Sequence, residues 1–201
     1  MITYVLCAVF ALIWWYLLRV TDRAQLHFWH FALGSCGLFI FLILLVEPLL
    51  TKPLARLVAA VAGLFGTLTH TFAAFFRYSV LFIQSSAGAM TLQIDFECSG
   101  IIEILAFLSL LFFFRVYSRN QRVVIGILGT VWIILANVLR IIAICEIIYF
   151  GGPNTYYIAH SLIGRLIFYG LSVLLYFYVF TKPQIVSMKV GNFTYGDGGN
   201  A

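Results

Sequence analysis

The sequence predicts an all-α, polytopic transmembrane helical bundle of about six spans, with both termini on the cytoplasmic side. Three observations predict it. Of 201 residues, 63% are hydrophobic and 9% charged, with a mean hydropathy of +1.05; a soluble domain carries about 25% charged residues. Six apolar stretches approach the roughly 20 residues that a helix needs to cross the hydrocarbon core. The basic residues between those stretches fall unevenly on two faces, as the positive-inside rule requires. So apolar a chain cannot cover a globular surface with polar groups, which excludes a soluble enzyme and a nucleic-acid-binding module. The 12 Lys and Arg stand in small groups with no dense basic tract, so the net charge of +5 reports orientation rather than a polyanionic partner.

The spans follow in order. The first covers about 2–19. It has neither the short apolar region nor the small-residue cleavage site of a signal peptide, so it reads as a retained span. The second covers about 31–50 and ends in Glu47-Pro48. The third, about 57–80, is rich in Ala, Gly and Phe and is interrupted by Thr69, His70 and Arg77. The fourth, fifth and sixth cover about 99–117, 123–149 and 161–181. Residues 183–201 read as a polar cytoplasmic tail, and residues 1–201 as a single integral membrane domain. With the first span starting inside, Lys52, Arg56, Arg115, Arg119, Arg122, Lys182 and Lys189 lie at the inner face. Only Arg19, Arg23 and Arg77 lie at the outer one.

Cys7, Cys36 and Cys145 sit inside apolar runs, where a cysteine is a small apolar filler. Cys7 comes too early to follow a cleavable lipoprotein signal. No CxxC pair occurs. No cofactor or metal set is expected. His27 and His30 have ligand-like spacing, but only Asp22 stands near, and both fit an aromatic interface belt with Trp29.

Cys98 differs, because it lies in a polar stretch that opens the fourth span. Asn137 and Arg140 lie in the outer part of the fifth span. Arg140 is 17 residues beyond Val123, or about 25 Å up the helix. His160 opens the sixth. Three distant segments thus bring a thiol, a guanidinium and an imidazole to one depth. Each has a plainer reading: a juxtamembrane cysteine, a headgroup-level histidine, and an arginine in a structural ion pair with Glu103 or Glu146. Arginine inside a span is nevertheless costly and marks a functional site by default. Asn137 and Arg140 share a helix face, as do His160 and Gly164, whose missing side chain admits a close neighbour. A cysteine at a helix start near a cation is in the setting that activates a thiol, although Asp95 and Glu97 oppose this. Cysteine with histidine is the minimum for covalent acyl transfer, and a guanidinium can hold the oxyanion.

These residues also carry a resemblance. Glu97-Cys98-Ser99-Gly100 opens a span, Asn137-Val138-Leu139-Arg140 lies within the next, and the run from His160 to Phe168 opens the last. Together they resemble the exosortase/archaeosortase family over about residues 96–170. The chain is similar to the compact members, of the Gram-positive type. The resemblance implies a membrane cysteine transpeptidase that cuts a C-terminal transmembrane sorting signal of exported proteins at the extracytoplasmic face of the cell membrane. The product would pass to an anchor through an amine acceptor that the resemblance does not identify, and membrane lipid is the other implied partner. It implies Cys98 as nucleophile, His160 as acid/base and Arg140 as the essential arginine. Asn137, Ser99, Gly100, Glu97, Glu103 and Gly164 would support them. Two other classes fit the composition: a substrate-binding subunit of a transporter, and a non-catalytic cell-envelope scaffold.

Overall fold

The computed structural model describes the backbone of residues 2–185 and the side chains of residues 9–185 except that of Glu97. The expected tail therefore lies outside the described residues from position 186 onward. The chain runs α1 (Ile2–Arg23), α2 (His27–Leu45), α3 (Glu47–Thr69), β1 (Phe72–Phe75), β2 (Val80–Ser85), β3 (Gly88–Gln93), α4 (Ile101–Phe113), α5 (Arg119–Gly151) and α6 (Gly164–Tyr176). Two π-helical segments, Ile158–Ile163 and Phe177–Thr181, extend α6 in both directions. The helical membrane fold is as expected. His27–Leu45, Glu47–Thr69, Arg119–Gly151 and Pro153–Ile185 are long and apolar enough to cross a membrane, and Ile101–Phe113 is apolar but shorter.

The third expected span is corrected. A helix over 57–80 does not form, because α3 ends at Thr69 and His70 turns left-handed with φ of 56°. The apolar residues that follow are strands. In β2, Leu81 and Ile83 face inward while Phe82 and Gln84 face outward, the period of two that a half-buried strand shows. β2 pairs antiparallel with β1 on one side and β3 on the other, with Phe72 opposite Ile83 and Leu81 opposite Leu92. The sheet lies on α3 at Gly63 and Gly66, where a Cβ would collide with Ala74 and Phe72.

The threading also differs from expectation. Spans over 31–50 and 57–80 imply a reversal at the inner face around Lys52 and Arg56, but no reversal occurs between α2 and α3. Val46 keeps helical dihedrals, its N–H donates to Leu42 and the N–H groups of Leu49 and Leu50 donate to its carbonyl. Pro48 lacks an N–H and cannot close the usual bond at this junction. At the other end of α2 a true reversal occurs. Trp14 Nε1 donates to the Leu33 carbonyl at 2.8 Å, and Phe10 packs on Phe41. The turn so formed sits beside the α4–α5 turn: Phe31 packs on Phe114, and Arg115 donates to Asp22 at 2.9 Å. Arg19 and Arg23 thus share an end with Arg115, Arg119 and Arg122, where the charge count had separated them. The start of α1 lies at the opposite end from the close of α6, which is fixed by Tyr117 donating to the Val179 carbonyl at 2.7 Å. The two ends of the described chain do not share a face.

α5 organises the bundle. Its 33 residues span about 50 Å, more than the roughly 30 Å hydrocarbon core. Ser118 and Gln121 start it with a reciprocal capping box. Arg122 caps the last turn of α4 by donating to the carbonyls of Phe112 and Phe114 at 2.8 and 3.1 Å. The lower part of α5 packs on Phe107, Leu111 and Phe168. Its upper part packs on α3, β2 and the segment that carries Cys98.

Candidate active site

A short helical turn, Phe96–Cys98, leads into α4 and carries the thiol. The turn is held by its own residues. The Ser99 hydroxyl donates to the Phe96 carbonyl at 2.9 Å and accepts from Ile101 N–H at 3.3 Å. Gly100 sits at φ of 80°, in the left-handed region that glycine enters without steric cost. A side chain there would also press on the Asn137 amide at 3.4 Å. Asn137 then fixes the turn from α5. Its Nδ2 donates to the Cys98 carbonyl at 2.8 Å, and the residue is fully buried. Ser99, Gly100 and Asn137 therefore hold the turn that carries Cys98.

Cys98 Sγ lies 3.2 Å from His160 Nε2, across 62 residues of sequence. Cys98 is buried and His160 half-buried, so the pair sits at the rim of the packed interior. His160 lies in the π-helical segment Ile158–Ile163, whose wider turn is an irregularity that recurs at functional sites. The Tyr156 ring stacks on the imidazole with centroids 5.4 Å apart and planes 22° from parallel. Sequence reasoning missed Tyr156. Its one mark in the sequence, an aromatic residue one helical turn before the histidine, does not stand out from the 17% aromatic content of the chain. Gly164 brings the same helix close to α5, where a Cβ would come within 2.8 Å of Ile144 Cδ1.

Arg140 is buried on α5, three residues beyond Asn137 and on the same face. Its guanidinium lies 5.7 Å from the centre of the Phe168 ring, within cation–π range. Its Nε has no hydrogen-bond partner. The structural ion pair considered for Arg140 is not formed among the described residues. Their one ion pair joins Asp22 to Arg115, and Glu146 instead accepts from the Thr71 hydroxyl at 2.7 Å. Glu103, in the first turn of α4, has a buried oxygen without a partner. The backbone of Glu97 is in the Cys98 turn, while its side chain lies outside the described ones. His30, one of the two histidines with ligand-like spacing, places Nδ1 3.3 Å from the Leu18 carbonyl and 3.4 Å from the Thr21 hydroxyl.

Chemically, a thiol in contact with an imidazole can lose its proton locally and attack an electrophilic carbon. A buried guanidinium with an unused N–H can stabilise developing negative charge. A family model described as transmembrane exosortase matches residues 1–178. No curated protein and no solved structure matches.

Proposed function

Because the chain belongs to the transmembrane exosortase family of membrane-embedded sorting transpeptidases, we propose that it cleaves a C-terminal transmembrane sorting signal of exported proteins through a thioester on Cys98. The contact of Cys98 with His160 at 3.2 Å carries this reading. A transporter subunit or a scaffold has no use for a thiol held by backbone turns on one side and an imidazole on the other.

The sorting helix lies against α4, α5 and α6 and presents its end to the thiol. His160 Nε2 takes the Cys98 proton, and Sγ attacks the scissile carbonyl carbon. The C–S bond forms while the carbonyl electron pair moves to oxygen, where Arg140 stabilises the charge. The intermediate collapses, the C–N bond breaks, and His160 returns the proton to the leaving amine. An amine acceptor then attacks the thioester and gives a proton to His160, and Cys98 leaves as thiolate. Water in place of the amine gives hydrolysis.

The reaction takes place at the extracytoplasmic face of the cell membrane. The basic residues support that side. Arg19, Arg23, Arg115, Arg119, Arg122 and Lys182 belong to the end away from Cys98, and Lys52, Arg56 and Arg77 to the Cys98 end. The more basic end is the cytoplasmic one.

The test compares the C-termini of exported proteins in the native host carrying wild-type protein or Cys98→Ala at equal abundance. One or a few proteins should keep an intact hydrophobic tail only in the variant. Arg140→Lys should keep it as well, since a point charge does not reproduce a planar fork. Unchanged C-termini, with tailed proteins shown to be expressed, would sink the proposal.

A further inference from the structure

A cavity stands beside the turn that carries Cys98. Its volume is about 380 Å³, within the range of ligand-sized clefts. Lys52 and Arg56 line it from successive turns of α3, and Arg77 lines it from the helical turn between β1 and β2. Asp95 is the one acid on its wall among the described residues. None of these four groups forms an ion pair among the described residues. Three cations and a single acid around one cavity leave it net positive, and a bound anion offsets that charge.

The surroundings indicate the kind of anion. The turn carrying Arg77 reads Phe75-Phe76-Arg77-Tyr78, and all four side chains are exposed. Aromatic groups flanking a cation, at the rim of a membrane bundle, suit the headgroup layer, where rings meet acyl chains and cations meet phosphates. We infer that this cavity binds the phosphate of an anionic membrane phospholipid. The phosphate sits among Lys52, Arg56 and Arg77, and the acyl chains lie along Phe75, Phe76 and Tyr78. The headgroup then lies next to Asp95 and Phe96, two residues before the nucleophile's turn closes. The inference concerns binding alone and stands whether or not Cys98 is a nucleophile.

The test uses the full chain in phosphatidylcholine nanodiscs containing a trace of phosphatidylglycerol with a photoreactive headgroup. Labelled peptides are mapped by mass spectrometry. Labelling should fall on residues 51–56 and 75–79 and be competed by unlabelled phosphatidylglycerol. Surface cations contribute roughly fivefold each to such binding. Lys52→Gln/Arg56→Gln/Arg77→Gln should therefore lose labelling about a hundredfold. Arg56→Lys/Arg77→Lys, which keeps the charge, should retain most of it. Undiminished labelling of the triple Gln variant would overturn the inference, as would equal competition by phosphatidylcholine. Competition by inorganic phosphate as effective as that by phosphatidylglycerol would assign the cavity to the free ion and overturn the lipid. Failure of any kind here leaves the C-terminal processing test untouched.

Discussion

Replacing Asn137 by leucine separates the positioning of Cys98 from the stability of the bundle. The Asn137 amide donates to the Cys98 carbonyl at 2.8 Å in a fully buried setting. Leaving that carbonyl unpaired costs about 1–3 kcal/mol. Asn137 Oδ1, however, is itself buried without a partner. Leucine removes that unsatisfied acceptor and keeps the volume, so the two changes offset each other in the global stability. They do not offset each other locally, because only the lost bond holds the Cys98 turn. If the full loss falls on the geometry of the thiol, processing drops by about one order of magnitude, each 1.4 kcal/mol being roughly tenfold. The assay reconstitutes the variant with a tailed substrate, measures the initial cleavage rate, and follows thermal unfolding in the same detergent. Asn137→Leu should cleave about tenfold more slowly at nearly unchanged unfolding temperature. Cleavage within twofold of wild type, or a loss fully explained by unfolding, refutes the positioning role.

Tyr156→Phe keeps the ring that stacks on His160 and should cleave at the wild-type rate. Tyr156→Leu loses the stacking, worth about 0.5–1.5 kcal/mol, and should slow cleavage severalfold in the same assay. Gly164→Ala places a Cβ 2.8 Å from Ile144 Cδ1, and such overpacking costs about 1–3 kcal/mol. Ile144→Val removes the Cδ1 methyl, so the double variant should recover part of the unfolding temperature that Gly164→Ala loses. At the exposed end of α1, the hydrogen bond from Arg115 holds the Asp22 carboxyl below its ordinary value of 3.8. A depressed carboxylate contributes stability above its ordinary pKa and loses it as pH falls through the folded value. Wild type should therefore exceed Asp22→Asn slightly at pH 7, and the difference should fade as pH falls through the depressed folded value and shrink in high salt.

The residues of the site were legible because each breaks the rule of its surroundings. Arg140 and Asn137 are polar in an apolar span, Cys98 is the one cysteine in a polar stretch, and His160 opens a helix. A charge that costs several kcal/mol in lipid is visible in a single sequence. Tyr156 was not visible, because in a chain with 17% aromatic residues one more ring is no exception. The sheet was hidden for a related reason. Hydropathy averages over a window and does not distinguish the alternation of Val80–Ser85 from a helical run. The turns beside it give no glycine signal either, since His70 and Ser79 take the left-handed region themselves. Pro48 misled in the other direction. A proline in the first turn of a helix costs no hydrogen bond, so the chain bends through Val46 and resumes as α3 without a loop. That single junction changed which basic residues share an end.

The thioester on Cys98 is the central claim, and intact-mass analysis reaches it most directly. Wild-type protein and Cys98→Ala are incubated with a tailed substrate in the absence of amine acceptor and quenched in acid. Wild type should gain the mass of the processed substrate fragment on the peptide carrying Cys98, and neutral hydroxylamine should release it. Cys98→Ala should gain nothing. Substrate cleaved at full rate with no adduct on Cys98, or an adduct that also forms on Cys98→Ala, would contradict the account.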